Sequence, residues 1–347
     1  MQSGERSTNV IKQLLSRHET YVALAIVIFS IVITAINPAY LTLRNFLGLF
    51  QTYAFWGVLA VGVLVVLISG GIDISFTAIA TVAEYVMATI MLRFGGDIFT
   101  SLLIAASIGI VLGLINAVFI HYFKIPTIIT TIATLNVYYG VLIAITHGSI
   151  LHSFPSWFNN FGNMLVFTIP GSHGGSPYGM SVLTAIWIAI IVIVWFILQH
   201  TRLGRAVYAI GGNAEAARRV GFNIVSIQMF VYGFMGLIGG IAGFMHGLMI
   251  GAAEPNSIYG HELDVIAMVV LGGANLAGGK GTITGTILGV VLIAIMGNGL
   301  TIMRVSSYWH NLIIGVIIVV SVSFSAYRGR RAVVRRSVSK ERTEAVG

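Results

Sequence analysis

Long apolar runs, separated by short polar or glycine-rich segments, organise this chain almost from end to end. Ten runs approach the roughly 20 apolar residues that a helix needs to cross a bilayer core. They lie near residues 20–37, 45–68, 74–92, 98–121, 126–146, 180–199, 227–250, 262–277, 282–303 and 309–327. The third and eighth are short, or interrupted by polar residues and glycine. The pattern predicts an all-α integral membrane protein. The residues ahead of the first run are polar and carry Arg6, Lys12 and Arg17. That run continues into Asn37-Pro38 with no small-residue cleavage pattern, and so reads as an uncleaved first span.

Composition narrows the function. Of 347 residues, 57% are hydrophobic and 9% charged, against about 25% charged in a soluble domain. The mean hydropathy of +0.94 agrees with a polytopic membrane protein. There is no cysteine, which excludes disulfides and thiol chemistry. The nine histidines show no metal-ligand spacing, and no Ser/His/Asp set stands out. An intramembrane enzyme is therefore the weakest functional class.

Charge sets the expected orientation. With the N-terminus inside, ten spans place Arg6, Lys12, Arg17, Lys124, Arg202, Arg205, Arg218, Arg219, Lys280 and the seven basic residues from Arg328 to Arg342 in the cytoplasm. Only Arg44, Arg93 and Arg304 fall outside, a ratio of sixteen to three that follows the positive-inside rule. The expected organisation is a cytoplasmic segment 1–19, a membrane domain 20–327 with a cytoplasmic loop at 200–226, and a basic tail 328–347. The net charge of +8 is then a membrane bias, and the tail faces anionic lipid rather than nucleic acid. Ten spans divide into five plus five. An odd number per half sends the second half in from the opposite side, the inverted repeat of many transporters. The halves share no clear sequence identity.

Forty-one glycines require a reason. The stretch LGGANLAGGKGT at 271–282 superficially resembles a phosphate-binding loop, but it fails the motif. Residue 274 is alanine where the first glycine belongs, and Gly281 follows Lys280 where Ser or Thr is required. The better reading is structural. Gly272, Gly273, Gly278, Gly279 and Gly281 form a tight turn with helix ends. Gly236, Gly239, Gly240, Gly243 and Gly247, and then Gly281, Gly285 and Gly289, supply small residues at four-residue spacing for close helix approach.

The segment TRLGRAVYAIGGNAEAARRVGFN at 201–223 is too polar to span and too patterned for a plain linker. Arg202–Ile210 can form a helix stopped by Gly211-Gly212. Asn213 then caps a second one. Glu215 sits in its first turn and Arg218-Arg219 in its last, matching the helix dipole, and Gly221 ends it. Two short cytoplasmic helices result, either a topological anchor or a docking element.

This segment, with SGGIDIS at 69–75, KIPTIITTIATL at 124–135, ELDVIAMVVLGGANLAGGKGTITGTILG at 262–289, NGL at 298–300 and SSYWHNLIIG at 306–315, resembles the sugar-type permeases of ABC importers. These include the ribose, xylose, arabinose, galactose and autoinducer-2 permease subunits. The resemblance runs from about residue 20 to 327. It implies a type II-like permease that pairs with a second permease subunit in the bacterial inner membrane, with both termini cytoplasmic. It also implies a separate cytoplasmic ATP-binding subunit that holds ATP and Mg, with no cofactor in this chain. A periplasmic or lipid-anchored binding protein would deliver the solute. Gly204, Arg205, Tyr208, Gly211, Gly212, Asn213, Ala216, Ala217 and Arg218 fall in the loop that docks on the ATPase in the family. The chain departs from the pattern at Asp73-Ile74-Ser75-Phe76-Thr77, at Asn116-Ala117-Val118 and at Glu84, where relatives are usually apolar.

Polar residues within spans are costly and mark function or helix ends. Asp73 opens the third span, and Glu262 and Asp264 open the eighth; capping and a pathway role both fit. Glu84 falls about halfway along the third span and needs a wet cavity or a partner. Trp56, Asn136, Tyr138, Tyr139 and Asn298 could line a path for hydroxylated solutes or simply pack, and His246 reads as packed. The expected function is the permease subunit of an ATP-driven importer for a monosaccharide or similar polyhydroxylated solute. An ion-coupled carrier using Glu84 or Asp73 and an ABC permease for branched-chain amino acids are the alternatives.

Overall fold

The computed structural model describes residues 18–171 and 175–306, with scattered positions from 308 to 319. The basic residues at both termini and most of the expected tenth span lie outside the described residues. The helices are α1 (His18–Ile36), α2 (Leu43–Ile68), α3 (Phe76–Phe94), α4 (Ile98–Tyr122), α5 (Thr127–Thr146), α6 (Ser156–Gly162), α7 (Val182–His200), α8 (Arg202–Gly212), α9 (Ala214–Arg219), α10 (Ile224–Ile250), α11 (Glu262–Leu271) and α12 (Ile283–Ile302). An antiparallel hairpin, β1 (Leu165–Ile169) and β2 (Tyr178–Ser181), precedes α7. Among the described residues eight helices are long and apolar enough to span a membrane: α1, α2, α3, α4, α5, α7, α10 and α12. This is a mostly helical, multi-pass membrane protein.

Burial sorts these helices. The apolar window of α2 is 78% buried and that of α1 only 11%. So α2 is the central post, and α1 lies at the periphery with most of its side chains partly or fully exposed. The most extensive helix–helix contact is between α4 and α10. Cβ atoms added at Gly109 and Gly236 would each collide with the other residue's carbonyl oxygen, and one at Gly240 would strike that of Ala105. Small residues permit backbone contact where no hydrophobic effect drives helices together. Gly243 likewise rests on Ala80, Gly285 on Gly272 and Gly289 on Met268.

One end of the bundle carries α8 and α9, the elbow; the other carries the hairpin. At the elbow end the glycine-rich loop after α11 closes against the end of α2. Gly279 N donates to Ile68 O (2.9 Å), and Gly70, Gly211 and Gly278 meet backbone to backbone. Gly273, Gly278 and Gly279 have positive φ (96°, 86° and 72°), the conformation that favours glycine. With Asn275 N bonded to Lys280 O and Gly278 N to Asn275 O, this loop is a scaffold joint and not a phosphate cradle.

Two spans are broken, and from opposite ends. After α2, Gly70 (φ 84°) turns the chain. Residues 71–75 then run in non-helical form alongside α5, with Ile72 N donating to Thr127 Oγ1 (3.2 Å) instead of to a helix carbonyl. After α10, Gly251 (φ 69°) turns the chain at the hairpin end, where Ala253 pairs with Leu151. Residues 254–261 then descend without helix until α11 begins. The expected span 262–277 is corrected accordingly. α11 has 10 residues and stops at Gly272-Gly273, a length of about 15 Å, half a bilayer. Pro255, Gly260 and the polar residues between explain why the other half is not helical. The two broken segments meet where Thr77, in the first turn of α3, donates from its hydroxyl to the carboxylate of Glu262, the first residue of α11.

Candidate translocation site and partner surface

A cleft of about 630 Å³ lies between α2, the start of α11 and α12. Its depth follows from the helical rise: Trp56 lies twelve residues before Ile68, about 18 Å from the elbow end. The Trp56 ring tilts against the His261 ring, centroids 5.2 Å apart. His261 Nδ1 pairs with Asp264 Oδ2 at 2.8 Å across one turn of α11. Both side chains remain about half exposed, at 49% and 51%, so each keeps a free face in the cleft. Toward the hairpin end, Asn45 of α2 and Asn298 of α12 exchange two amide hydrogen bonds, each Nδ2 to the other's Oδ1 at 3.1 Å. Gly297 leaves room for the Tyr53 hydroxyl, which an added Cβ would strike. Arg44 at the mouth is engaged: its guanidinium lies over the Tyr178 ring, 5.1 Å from the centroid, and donates to Ser176 O of the hairpin segment.

The structure brings Trp56, Asp264 and Asn298 together in this cleft, and places the other expected pathway residues elsewhere. Asn136 is exposed on α5 and donates to Ile132 O (2.8 Å), an ordinary helix contact. Tyr139 stacks on Tyr259 (3.8 Å, 11°) and donates to Asn256 Oδ1. Asp73 is buried in a network of its own. Its Oδ1 accepts from Ser75 N and Oγ (both 2.7 Å), Asn116 Nδ2 donates to Ser75 Oγ (2.7 Å), and Tyr138 OH lies 3.3 Å from Asn116 Oδ1. It shapes the entry to α3 rather than capping it, since the N-cap is Ser75. Glu262 is turned to Thr77 and to Gly260 N (3.0 Å), away from the cleft. Glu84 is 1% exposed and faces His246. Sequence reasoning missed Arg44, Asn45, Tyr53 and His261, because nothing local marks them as neighbours of α11 and α12. Among the described residues no group of three or more His, Asp or Glu could hold a metal.

At the elbow, Thr201 caps α8 by accepting from Gly204 N (3.1 Å), and Asn213 caps α9 by accepting from Ala216 N (2.9 Å). Gly221 (φ 89°) ends the unit. The nine residues of this loop divide by direction. Gly204 is buried where a Cβ would strike the carbonyls of Ile197 and Leu198, Ala217 is buried, and Gly211 abuts Ile68. Tyr208 donates to Gly281 O (2.8 Å), and burial raises its phenol pKa. Arg205, Gly212, Asn213, Ala216 and Arg218 are exposed. A groove of about 600 Å³ beside them is lined by Lys124, Pro126, Glu215, Arg218 and Gln228.

A family described as "Branched-chain amino acid transport system / permease component" matches residues 45–322. The chain belongs to this permease family. It is therefore a transport subunit rather than an enzyme. The ribose import permease protein RbsC of Escherichia coli K12 is 32% identical, covering 90% of this chain and 94% of the relative. The Bacillus subtilis protein of the same name is 33% identical over 86% and 90%. The autoinducer 2 import system permease protein LsrC of Yersinia pseudotuberculosis is 29% identical over 96% and 91%. No solved structure matches the chain.

Proposed function

We propose that this permease is the membrane subunit of an ATP-driven importer for a monosaccharide or similar polyhydroxylated solute in the bacterial inner membrane. The observation that carries the reading is the elbow, two capped helices fixed to α2 by glycine contacts and presenting Arg205, Gly212, Asn213, Ala216 and Arg218 outward. A surface rigidly joined to the central post suits a subunit that must transmit work. In this reading the elbow is cytoplasmic, residues 200–226 are the coupling loop, and both termini are cytoplasmic. ATP and Mg belong to the partner ATPase, and this chain holds no cofactor.

Relatives named for ribose and autoinducer-2 import support the solute class. The opposed breaks at 69–75 and 251–261 follow helices of 26 and 27 residues, which supports a five-plus-five inverted repeat of ten spans. A second permease subunit and an external binding protein complete the assembly. The cleft at Trp56, Asp264 and Asn298 is the entry to the pathway. The test is a mild-detergent pull-down of the tagged chain from its native membrane with mass spectrometry. Recovery of an ATP-binding subunit is expected. Recovery of the chain alone, beside a control transporter that stays intact, would favour an ion-coupled carrier.

A further inference from the structure

The family model is described for branched-chain amino acids, whereas several relatives are named for sugar-like solutes. The cleft bears on this choice through its chemistry. A zwitterionic amino acid needs a free cation or an open helix N-terminus for its carboxylate, an acceptor for its ammonium group and an apolar pocket for its side chain; the N-terminus of α11 is already occupied by its own acids, Glu262 and Asp264. Among the described residues the cleft's one full cation, Arg44, is already committed to the hairpin, and Asp264 is matched by His261. The other polar groups of the cleft offer no unpaired cation and alternate donors with acceptors: the mutually paired amides, the Tyr53 hydroxyl and the free edges of the His261–Asp264 pair, beside the Trp56 ring. An aromatic face beside paired amides and a carboxylate suits the apolar C–H face and the hydroxyl rim of a sugar ring. The volume lies within the range of small-molecule sites, about 300–1,000 Å³.

We infer that this cleft is a binding site for a neutral polyhydroxylated ring, with Trp56 as its platform and the Asn45–Asn298 pair as its closure. Each amide satisfies the other when no solute is present, so neither is left unpaired in a low-dielectric cleft. Entry of a hydroxylated ring exchanges amide–amide bonds for amide–hydroxyl bonds, which lets α2 and α12 part without orphaning a polar group. This rests on the importer reading for its direction, but not for its chemistry.

The absence of native cysteine makes the test direct. Thr52 and Thr301 line the cleft and bond only within their own helices. Thr52→Cys and Thr301→Cys are each introduced singly, and the purified full-length complex is labelled with a hydrophilic maleimide. Phe94→Cys, 82% exposed and outside the cleft, serves as control. Millimolar D-ribose or D-galactose is expected to slow labelling at both cleft positions by about twofold or more, the change at half occupancy. It should leave the control unchanged, and Trp56→Ala should remove the protection. L-leucine should have no effect. Protection by L-leucine, or by neither sugar, would overturn the inference. The pull-down reads the importer assignment separately, so an ATPase partner without sugar protection rejects the cleft site alone.

Discussion

Glu84 on α3 and His246 on α10 form a buried pair in the middle of the helix bundle, His246 Nδ1 lying 3.0 and 3.1 Å from the two carboxylate oxygens. The residues are 1% and 3% exposed, and Phe55 packs edge-on against the imidazole. Glu84 thus has a protein partner. Removing one member of such a pair leaves the other without compensation, whereas replacing both with apolar groups is often tolerated. Glu84→Ala is expected to destabilise the protein by about 3 kcal/mol. The Glu84→Leu/His246→Phe double variant should recover most of that loss. Thermal unfolding in detergent, monitored for the four-member mutant cycle, measures the coupling.

Neighbouring elbow glycines should respond in opposite ways. Gly211→Ala pushes a Cβ into Ile68 O and should loosen the joint between elbow and α2, lowering thermal stability. Gly212 has open space around the position of a Cβ. Gly212→Trp should therefore leave the fold intact but block the partner, as should Arg218→Glu. Co-purification of the ATPase and solute-stimulated ATP hydrolysis report the difference. Normal stimulation in both surface variants would defeat the docking role.

At the α4–α10 crossing, Gly236→Ala forces the backbones apart where no flexible side chain can yield. The expected cost is about 1–3 kcal/mol, as for other overpacked sites. Gly140 on α5 has nothing near its Cβ position, and Gly140→Ala should cost nothing measurable. Melting temperatures of the two variants, prepared side by side, compare them.

Tyr208→Phe deletes a single hydrogen bond, the one to Gly281 O across the elbow joint. A loss of about 1 kcal/mol is expected. If the joint transmits work, coupling of ATP hydrolysis to uptake should fall more than stability does. Uptake per ATP hydrolysed in reconstituted vesicles is the measurement.

Span positions were legible because bilayer thickness imposes one length on every helix, and eight of the expected spans match helices within a few residues. The caps at Asn213 and the positive-φ glycines of 272–281 were legible because they depend on adjacent residues. The eighth span was not. The run from Glu262 to Ala277 reads as a short or interrupted span, but the glycine pair at 272–273 ends the helix altogether, and the crossing is completed by polar residues upstream. The cleft was only partly legible. Asn45 and Asn298 are 253 residues apart, and Glu84 and His246 are 162 apart. In a soluble protein the polar face of a helix tells which side is buried. In lipid both sides are apolar, so periodicity does not reveal which residues of α2 face α12.

The length of α2 has a mechanical meaning. Its 26 residues make a rod of about 39 Å. One tip is clamped among Gly211, Gly278 and Gly279, the opposite half carries Asn45 and Tyr53, and Trp56 stands at the midpoint. A stiff element with no break between these stations has few ways to absorb a push. Rocking the clamp swings the far arm, and the amide latch at Asn45 and Asn298 lies near that arm's free end.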